Sequence, residues 1–223
     1  MDWILNIHAP VALPSGFILL ASDGLPKTQK SSDTAVTGEI NENIGGSVKY
    51  GDTKSATGEL VHDVLDRLLI MQGYAPDKFS LKKHDTGKPY GVLHGREVGV
   101  SITHCRSLLV CALHTRGETG IDVEPCGRKL HPALRERICH PDEQELLPDE
   151  LCSVRLWTVK EAALKLLGTG LRMAMNKIRL DMTDDYLFQT TLESEPITIV
   201  SFPFQDHWIA TAFEAEEIAG HSG

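Results

Sequence analysis

The stretch Leu156-Trp157-Thr158-Val159-Lys160-Glu161-Ala162-Ala163-Leu164-Lys165-Leu166-Leu167-Gly168 decides how this chain is read. Ala, Leu, Lys and Glu dominate it, all strong helix formers. Gly168 and Gly170 stand where such a helix stops. On a 3.6-residue wheel Val159, Ala162, Ala163 and Leu166 fall on one side, while Trp157, Glu161 and Lys165, spaced by four, stack along the other. The helix is expected to bury the first face and to present an acid and a base on the second. Taken alone, Glu161 and Lys165 are equally an ordinary i, i+4 ion pair. What the rest of the chain brings opposite them decides between the two readings.

Working outward, Gly120-Ile121-Asp122-Val123-Glu124 reads as a strand. Alternation sends Ile121 and Val123 one way and Asp122 and Glu124 the other, with the two acidic Cα atoms about 6.5–7 Å apart. A solvated strand edge explains such a pair, and so does a shared cation, since oxygen-only ligands suit Mg²⁺ or Mn²⁺. With Glu161 added from the helix, three carboxylates could hold magnesium and leave positions open for phosphate oxygens and water. Lys165 would then stand beside the same phosphates as a point charge. Val100-Ser101-Ile102-Thr103-His104-Cys105 places Thr103 and His104 at a strand end, open to a structural or a ligand-binding role. Gly87-Lys88-Pro89 puts a lysine in a rigid turn, either solvated or facing a ligand.

Elsewhere, residues 16–21 form an apolar run suited to a buried strand. Residues 22–57 are polar and Gly/Ser/Thr-rich and read as a long loop. Apolar residues at 60, 61, 64, 65, 68 and 69 predict a helix over 58–72 that stops at Gly73. Strands are expected at 98–103, 107–114 and 120–125. Helix, broken at Pro141 and Pro148, is expected over 130–169. Further strands follow at 178–182, 186–192, 197–202 and 207–213. The fold class is α+β, with two similar units, 1–116 and 117–223, divided near Arg116-Gly117. Residue-level similarity between the halves is weak, so a duplication is only suggested.

The chain has 223 residues, 41% apolar, and a formal net charge of −9. That charge argues against non-specific partnership with nucleic acid or an anionic membrane. Its five cysteines form no C-x-x-C, so neither a disulfide framework nor a structural zinc site is indicated. No basic leader and no long apolar run is present, and a cytoplasmic protein is expected.

Four pieces in this order carry a resemblance. Gly87-Lys88-Pro89 resembles a G-K-P motif, and Ser101-Ile-Thr103-His104-Cys105 resembles N-[IVL]-S-H-S. Gly120-Ile-Asp122-Val-Glu124 is similar to G-[IV]-D-[IV]-E. Trp157-Thr-Val-Lys160-Glu161-Ala-Ala-Leu-Lys165 is similar to W-[ST]-x-K-E-[AS]-x-x-K. Between the last two, Arg137-Ile-Cys-His-Pro-Asp-Glu143 resembles R-F-F-[ST]-x-x-E. These are motifs of the 4′-phosphopantetheinyl transferases, in particular the longer single-chain class of the surfactin-synthetase-activating type. Thr103 keeps a hydroxyl in place of the usual Ser. Ser101, Cys105 and the Ile138-Cys139-His140 run depart from the pattern.

The resemblance implies a fold, a pseudo-dimer with nucleotide contacts in 1–116 and metal and catalytic residues in 117–223, and a chemistry. The enzyme would move the phosphopantetheine arm of coenzyme A onto a serine of an apo acyl, peptidyl or aryl carrier protein, releasing 3′,5′-ADP. Asp122, Glu124 and Glu161 would hold Mg²⁺, with Mn²⁺ as a substitute. Glu161, directly or through a bound water, would take the serine proton, and Lys165 would stabilise the pyrophosphate. Thr103 and His104 would meet the adenosine 3′-phosphate, and Lys88 the nucleotide end. Basic residues toward the N-terminus, Lys49, Lys54 and Arg67, are further phosphate candidates. A carrier helix is expected to dock near 132–147 on Leu134, Ile138, Leu146 and Leu147, and the fused halves predict a monomer. Two alternatives remain at this point: another magnesium-dependent phosphate-ester enzyme, and a non-catalytic carrier-binding module.

Overall fold

The computed structural model describes residues 4–7, 9–10, 13, 17–22, 56–143 and 152–214. The long loop expected over 22–57 lies almost wholly outside the described residues, as do Lys49, Lys54, Leu146 and Leu147.

The elements in order are β1 (Ile4–Asn6), β2 (Phe17–Ser22), α1 (Ala56–Met71), β3 (Phe79–Lys83), β4 (Pro89–Leu93), β5 (Arg96–His104), β6 (Leu109–His114) and β7 (Thr119–Pro125). Then come α2 (Pro132–Ile138), α3 (Ser153–Leu167), β8 (Asp181–Asp184), β9 (Leu187–Leu192), β10 (Glu195–Phe204) and β11 (His207–Glu214). All strand pairs are antiparallel. They form a six-stranded sheet, β1-β2-β6-β5-β4-β3, and a five-stranded sheet, β7-β11-β10-β9-β8. This is the expected α+β pair of halves, each a sheet with one long helix against it.

Side-chain alternation explains the layering. In β5 and β6, Val98, Val100, Ile102, Leu109, Cys111 and Leu113 point to α1. They meet the helix on Leu60, Val61, Val64, Leu65, Leu68 and Leu69, every one at most 4% exposed. Each such burial stabilises by about 1.5–3 kcal/mol, far more than the helix propensity of α1 supplies. The chain leaves α1 through Gly73, at φ +78°, a conformation that favours glycine.

The opposite parity, Leu108, Val110 and Ala112 with Leu19 and Ala21 of β2, faces the second sheet. There it packs on Ile121, Val123, Val200, Phe202, Ile209 and Phe213. A third core lies between α3 and the other face of the second sheet, built on Leu156, Val159, Ala162, Ala163, Leu166, Phe188, Ile197, Ile199, Ala210 and Ala212.

One strand is shorter than expected. Ile178 and Leu180 are fully buried, but regular pairing begins only at Asp181. The Ile178 carbonyl is taken by Lys160 and the Leu180 amide by Glu143, so side chains satisfy this backbone where a neighbouring strand would. All five cysteines are free thiols. Among the described residues no helix is long and apolar enough to cross a membrane.

Candidate active site

The helix that opened the reading is α3. Cys152 caps its first turn, its Sγ accepting from the Arg155 amide at 3.3 Å, and Gly168 ends it in the left-handed region at φ 70°. Val159, Ala162, Ala163 and Leu166 are buried as expected. Trp157, expected on the polar side, is only 8% exposed. The Arg128 guanidinium covers its ring at 5.4 Å, a cation over an aromatic face.

Why α3 crosses β7 so closely is written in Gly120. A Cβ there would lie 2.0 Å from the Ala162 carbonyl oxygen and 2.4 Å from the Leu166 nitrogen, both backbone atoms that cannot step aside. The two halves meet along β5 and β7 in the same way. A Cβ on Gly99 would lie 2.2 Å from the Gly117 carbonyl oxygen. Ser101 Oγ accepts from the Ile121 amide at 3.0 Å across this seam.

Strand parity then turns Asp122 and Glu124 away from the inter-sheet core, and the residues expected to act together come together. Lys165 Nζ donates to Asp122 Oδ1 at 2.7 Å and to Thr103 Oγ1 at 3.0 Å. The Thr103 hydroxyl donates to the same Asp122 oxygen at 3.1 Å. Asp122 is 5% exposed, so it is not a solvated strand edge. Its second oxygen, Oδ2, is buried with no hydrogen-bond partner among the described residues. Glu124 pairs with Arg128.

Burial pushes Glu161 up to about 7, with the Asp122 charge and then Glu124 adding to the rise against Lys165 and Arg128. Glu124 is likewise pushed up to about 7, first by burial and then by Asp122, against Arg128 and Lys165. Three carboxylates thus share a half-buried region that two cations only partly neutralise. An orphaned acceptor and an all-oxygen donor set fit a divalent cation of the magnesium type. Their oxygens are not all drawn together, however. Among the described residues the one trio with ligand atoms all within 4.8 Å of each other is His84, Glu97 and Glu118. Asp122 is instead paired with Lys165, and Glu124 with Arg128.

His104, at the end of β5, is half-buried next to Thr103. Arg67 is exposed on α1. Lys88 lies elsewhere than expected of a solvated turn residue. Its side chain is 10% exposed, and Nζ donates to the Glu118 carboxylate and to the Leu166 carbonyl at the end of α3.

Sequence reasoning left two residues without a role, and the structure supplies one. Lys160 is wholly buried. Its Nζ donates to Ile138 O (2.6 Å), Glu143 Oε2 (2.7 Å), Ile178 O (2.8 Å) and Met175 O (3.2 Å). Glu143, also buried, accepts from the His140 amide at 2.7 Å and the Leu180 amide at 2.9 Å. The available signal was position: Lys160 stands four residues from both Leu156 and Leu164, inside an apolar stripe. The expected carrier-docking surface is corrected in part. Ile138 is 1% exposed and belongs to the α3 core, and Leu134 packs against that core.

The sequence model described as the 4′-phosphopantetheinyl transferase superfamily matches residues 118–217. The chain is 25% identical over 162 residues to the 4′-phosphopantetheinyl transferase gsp of Aneurinibacillus migulanus, covering 68% of this chain and 66% of that protein. It is 26% identical over 148 residues to a 4′-phosphopantetheinyl transferase of Bacillus subtilis, covering 61% of this chain and 63% of that one. The matches therefore span just under two thirds of those relatives. Together with the two sequence motifs that fall inside residues 118–217 and the α3–β7 geometry, these matches make that stretch similar to the 4′-phosphopantetheinyl transferase superfamily.

Proposed function

We propose that this protein transfers the 4′-phosphopantetheine group of coenzyme A to a serine hydroxyl of an apo carrier protein, releasing 3′,5′-ADP, in the cytoplasm and as a monomer. The observation that carries the reading is the Lys165–Asp122–Thr103 hydrogen-bond network, in which Thr103 comes from the other half, with Glu161 and Glu124 near enough to feel the Asp122 charge. The substrate brings its own nucleophile, so the protein has to position groups and neutralise charge.

Asp122, Glu124 and Glu161 would hold Mg²⁺, which when bound would offset the charge of the pyrophosphate. Glu161 is our choice of base for the serine proton. As the serine oxygen bonds to phosphorus, the bond from phosphorus to the departing 3′,5′-ADP oxygen breaks, and Lys165 meets the negative charge that leaves. His104 is assigned to the adenosine 3′-phosphate, with Thr103 linking it to the Lys165–Asp122 pair. The acidic balance of the chain, −9, leaves carrier recognition to local contacts. We place the division between the two functional halves near residues 116–117.

The test is direct. Incubating the protein with coenzyme A, Mg²⁺ and a panel of apo acyl, peptidyl and aryl carrier proteins should raise one carrier's mass by one phosphopantetheine. No gain on any of them would sink the transferase reading. Hydrolysis of a simple phosphate ester would instead favour a different magnesium-dependent enzyme.

A further inference from the structure

We propose that Lys88 is a positioning residue: it clamps the C-terminal end of α3, in the second half, to the turn before β4, in the first. The proposal rests on the transferase reading for its kinetic arm only.

Three observations carry it. The first is local. Lys88 closes a tight turn in which the His84 amide donates to the Lys88 carbonyl and the Gly87 amide donates back to His84, both at 2.9 Å. Gly87 takes φ +90° to make this turn. The base of the lysine is therefore held by its own hairpin.

The second is where its stem goes. A Cβ on Gly168 would lie 3.0 Å from Lys88 Cδ and 3.3 Å from Lys88 Cβ. The glycine that ends α3 leaves room for this lysine to lie across the helix terminus.

The third is what its head does. The last carbonyls of a helix lack donors within the helix and carry its negative pole. Nζ donates to one of them, Leu166, and to Glu118, which leads into β7. Glu118 keeps 35% of its side chain exposed while Lys88 keeps 10%, so the lysine is the inner partner.

One cation from the first sheet thus joins the two elements of the second half that carry the acids, β7 and α3. Leu166 follows Lys165 directly, and Glu161 lies little more than one turn earlier. Loosening this end would let Lys165 and Glu161 drift relative to Thr103 and His104, whose strand belongs to the Lys88 sheet.

The experiment compares wild type with Lys88→Met and Glu118→Gln, by hydrogen–deuterium exchange and by transfer kinetics with coenzyme A and with 3′-dephospho-coenzyme A. For a clamp, amides of the last turn of α3, residues 164–168, exchange about tenfold faster in K88M while those of α1 are unchanged. Transfer then falls for both donors by the same factor, so the preference for coenzyme A over its dephospho form stays within about twofold of wild type. E118Q, which leaves the Leu166 contact in place, moves exchange in the same direction by less. It also provides the measurement should K88M fail to fold.

Unchanged exchange in both variants overturns the proposal. So does a preference that collapses because KM rises for coenzyme A alone, the signature of a lysine on the 3′-phosphate. If wild type modifies no carrier, the transferase reading fails separately, and exchange alone decides whether Lys88 is a clamp.

Discussion

Replacing Lys160 by Met keeps an unbranched chain in place and deletes the charge. The cost can be worked from its contacts. Glu143 loses its cation but retains two backbone donors, at 2.7 and 2.9 Å. The carbonyls of Ile138, Met175 and Ile178 lose a donor, though that of Met175 keeps the Ile178 amide at 3.0 Å. Removing one partner of a buried ion pair costs about 3–5 kcal/mol, and each buried acceptor left unpaired costs about 1–3 kcal/mol. These penalties overlap, because the same cavity relaxes for all of them. The two remaining donors on Glu143 hold the total to about 4 kcal/mol. A chain of this size has roughly 5–15 kcal/mol to lose. At roughly 2–4 °C per kcal/mol, the melting temperature should fall by roughly 8–16 °C. Urea unfolding followed by tryptophan fluorescence and by far-UV circular dichroism measures it. Combining K160M with Glu143→Gln should recover about 1–3 kcal/mol relative to the sum of the single changes, since the orphaned charge is gone. A loss below about 1 kcal/mol, or strict additivity in the cycle, would refute the reasoning. An unchanged unfolding midpoint with lost transfer would instead move Lys160 into the chemistry.

Asp122→Asn should lower carrier modification at least ~100-fold while far-UV circular dichroism stays native, because the amide keeps the shape but not the charge that Lys165 meets. Carrier mass spectrometry reads it, and near-normal transfer would remove Asp122 from the site. In metal-free protein, Glu124 and Glu161 titrate from 4.5 unfolded to about 7 folded. Between those values the folded form binds more protons, so their contribution to stability falls as pH rises. Calorimetry should therefore show the melting temperature of wild type dropping relative to Glu161→Gln from pH 4.5 to 7. Mg²⁺ should recover it more at pH 8 than at pH 5, and parallel curves would contradict the pKa assignment. Gly120→Ala forces a methyl into backbone at 2.0 and 2.4 Å. It should cost about 1–3 kcal/mol and lift α3 from β7, measurable as a lower urea midpoint together with lost transfer. A neutral result would mean the crossing has slack.

Much of the fold was readable because its elements announce their periods. α1 shows six apolar residues at helical spacing, and β5 through β7 alternate or run apolar, so their boundaries fall within a few residues of expectation. The strand expected at 178–182 begins only at Asp181, because side chains from Lys160 and Glu143 satisfy the backbone before it, a long-range fact that no local pattern contains. Trp157 was misplaced for a similar reason. Its wheel position is peripheral, but Arg128, 29 residues upstream, covers it. The acids of the site were legible from parity and spacing. The bases around them were legible only in part: Lys165 shares the helix face of Glu161 and Arg128 reaches Glu124 from four residues on, but that Lys165 pairs with Asp122, 43 residues away, is a product of tertiary folding.

The seam of Gly99, Gly117 and Gly120 has a consequence for how this chain tolerates change. Each sheet packs its own helix on a separate core, so a substitution beneath α1, or beneath the outer strands under α3, can be absorbed by that layer's own rearrangement. The seam has no such reserve. There one backbone touches another, and every candidate reacting group sits within a few residues of it. Random mutagenesis should accordingly split into two populations. Changes within one layer would shift melting and leave turnover per folded molecule intact. Changes along β5 and β7 would lower turnover out of proportion to stability.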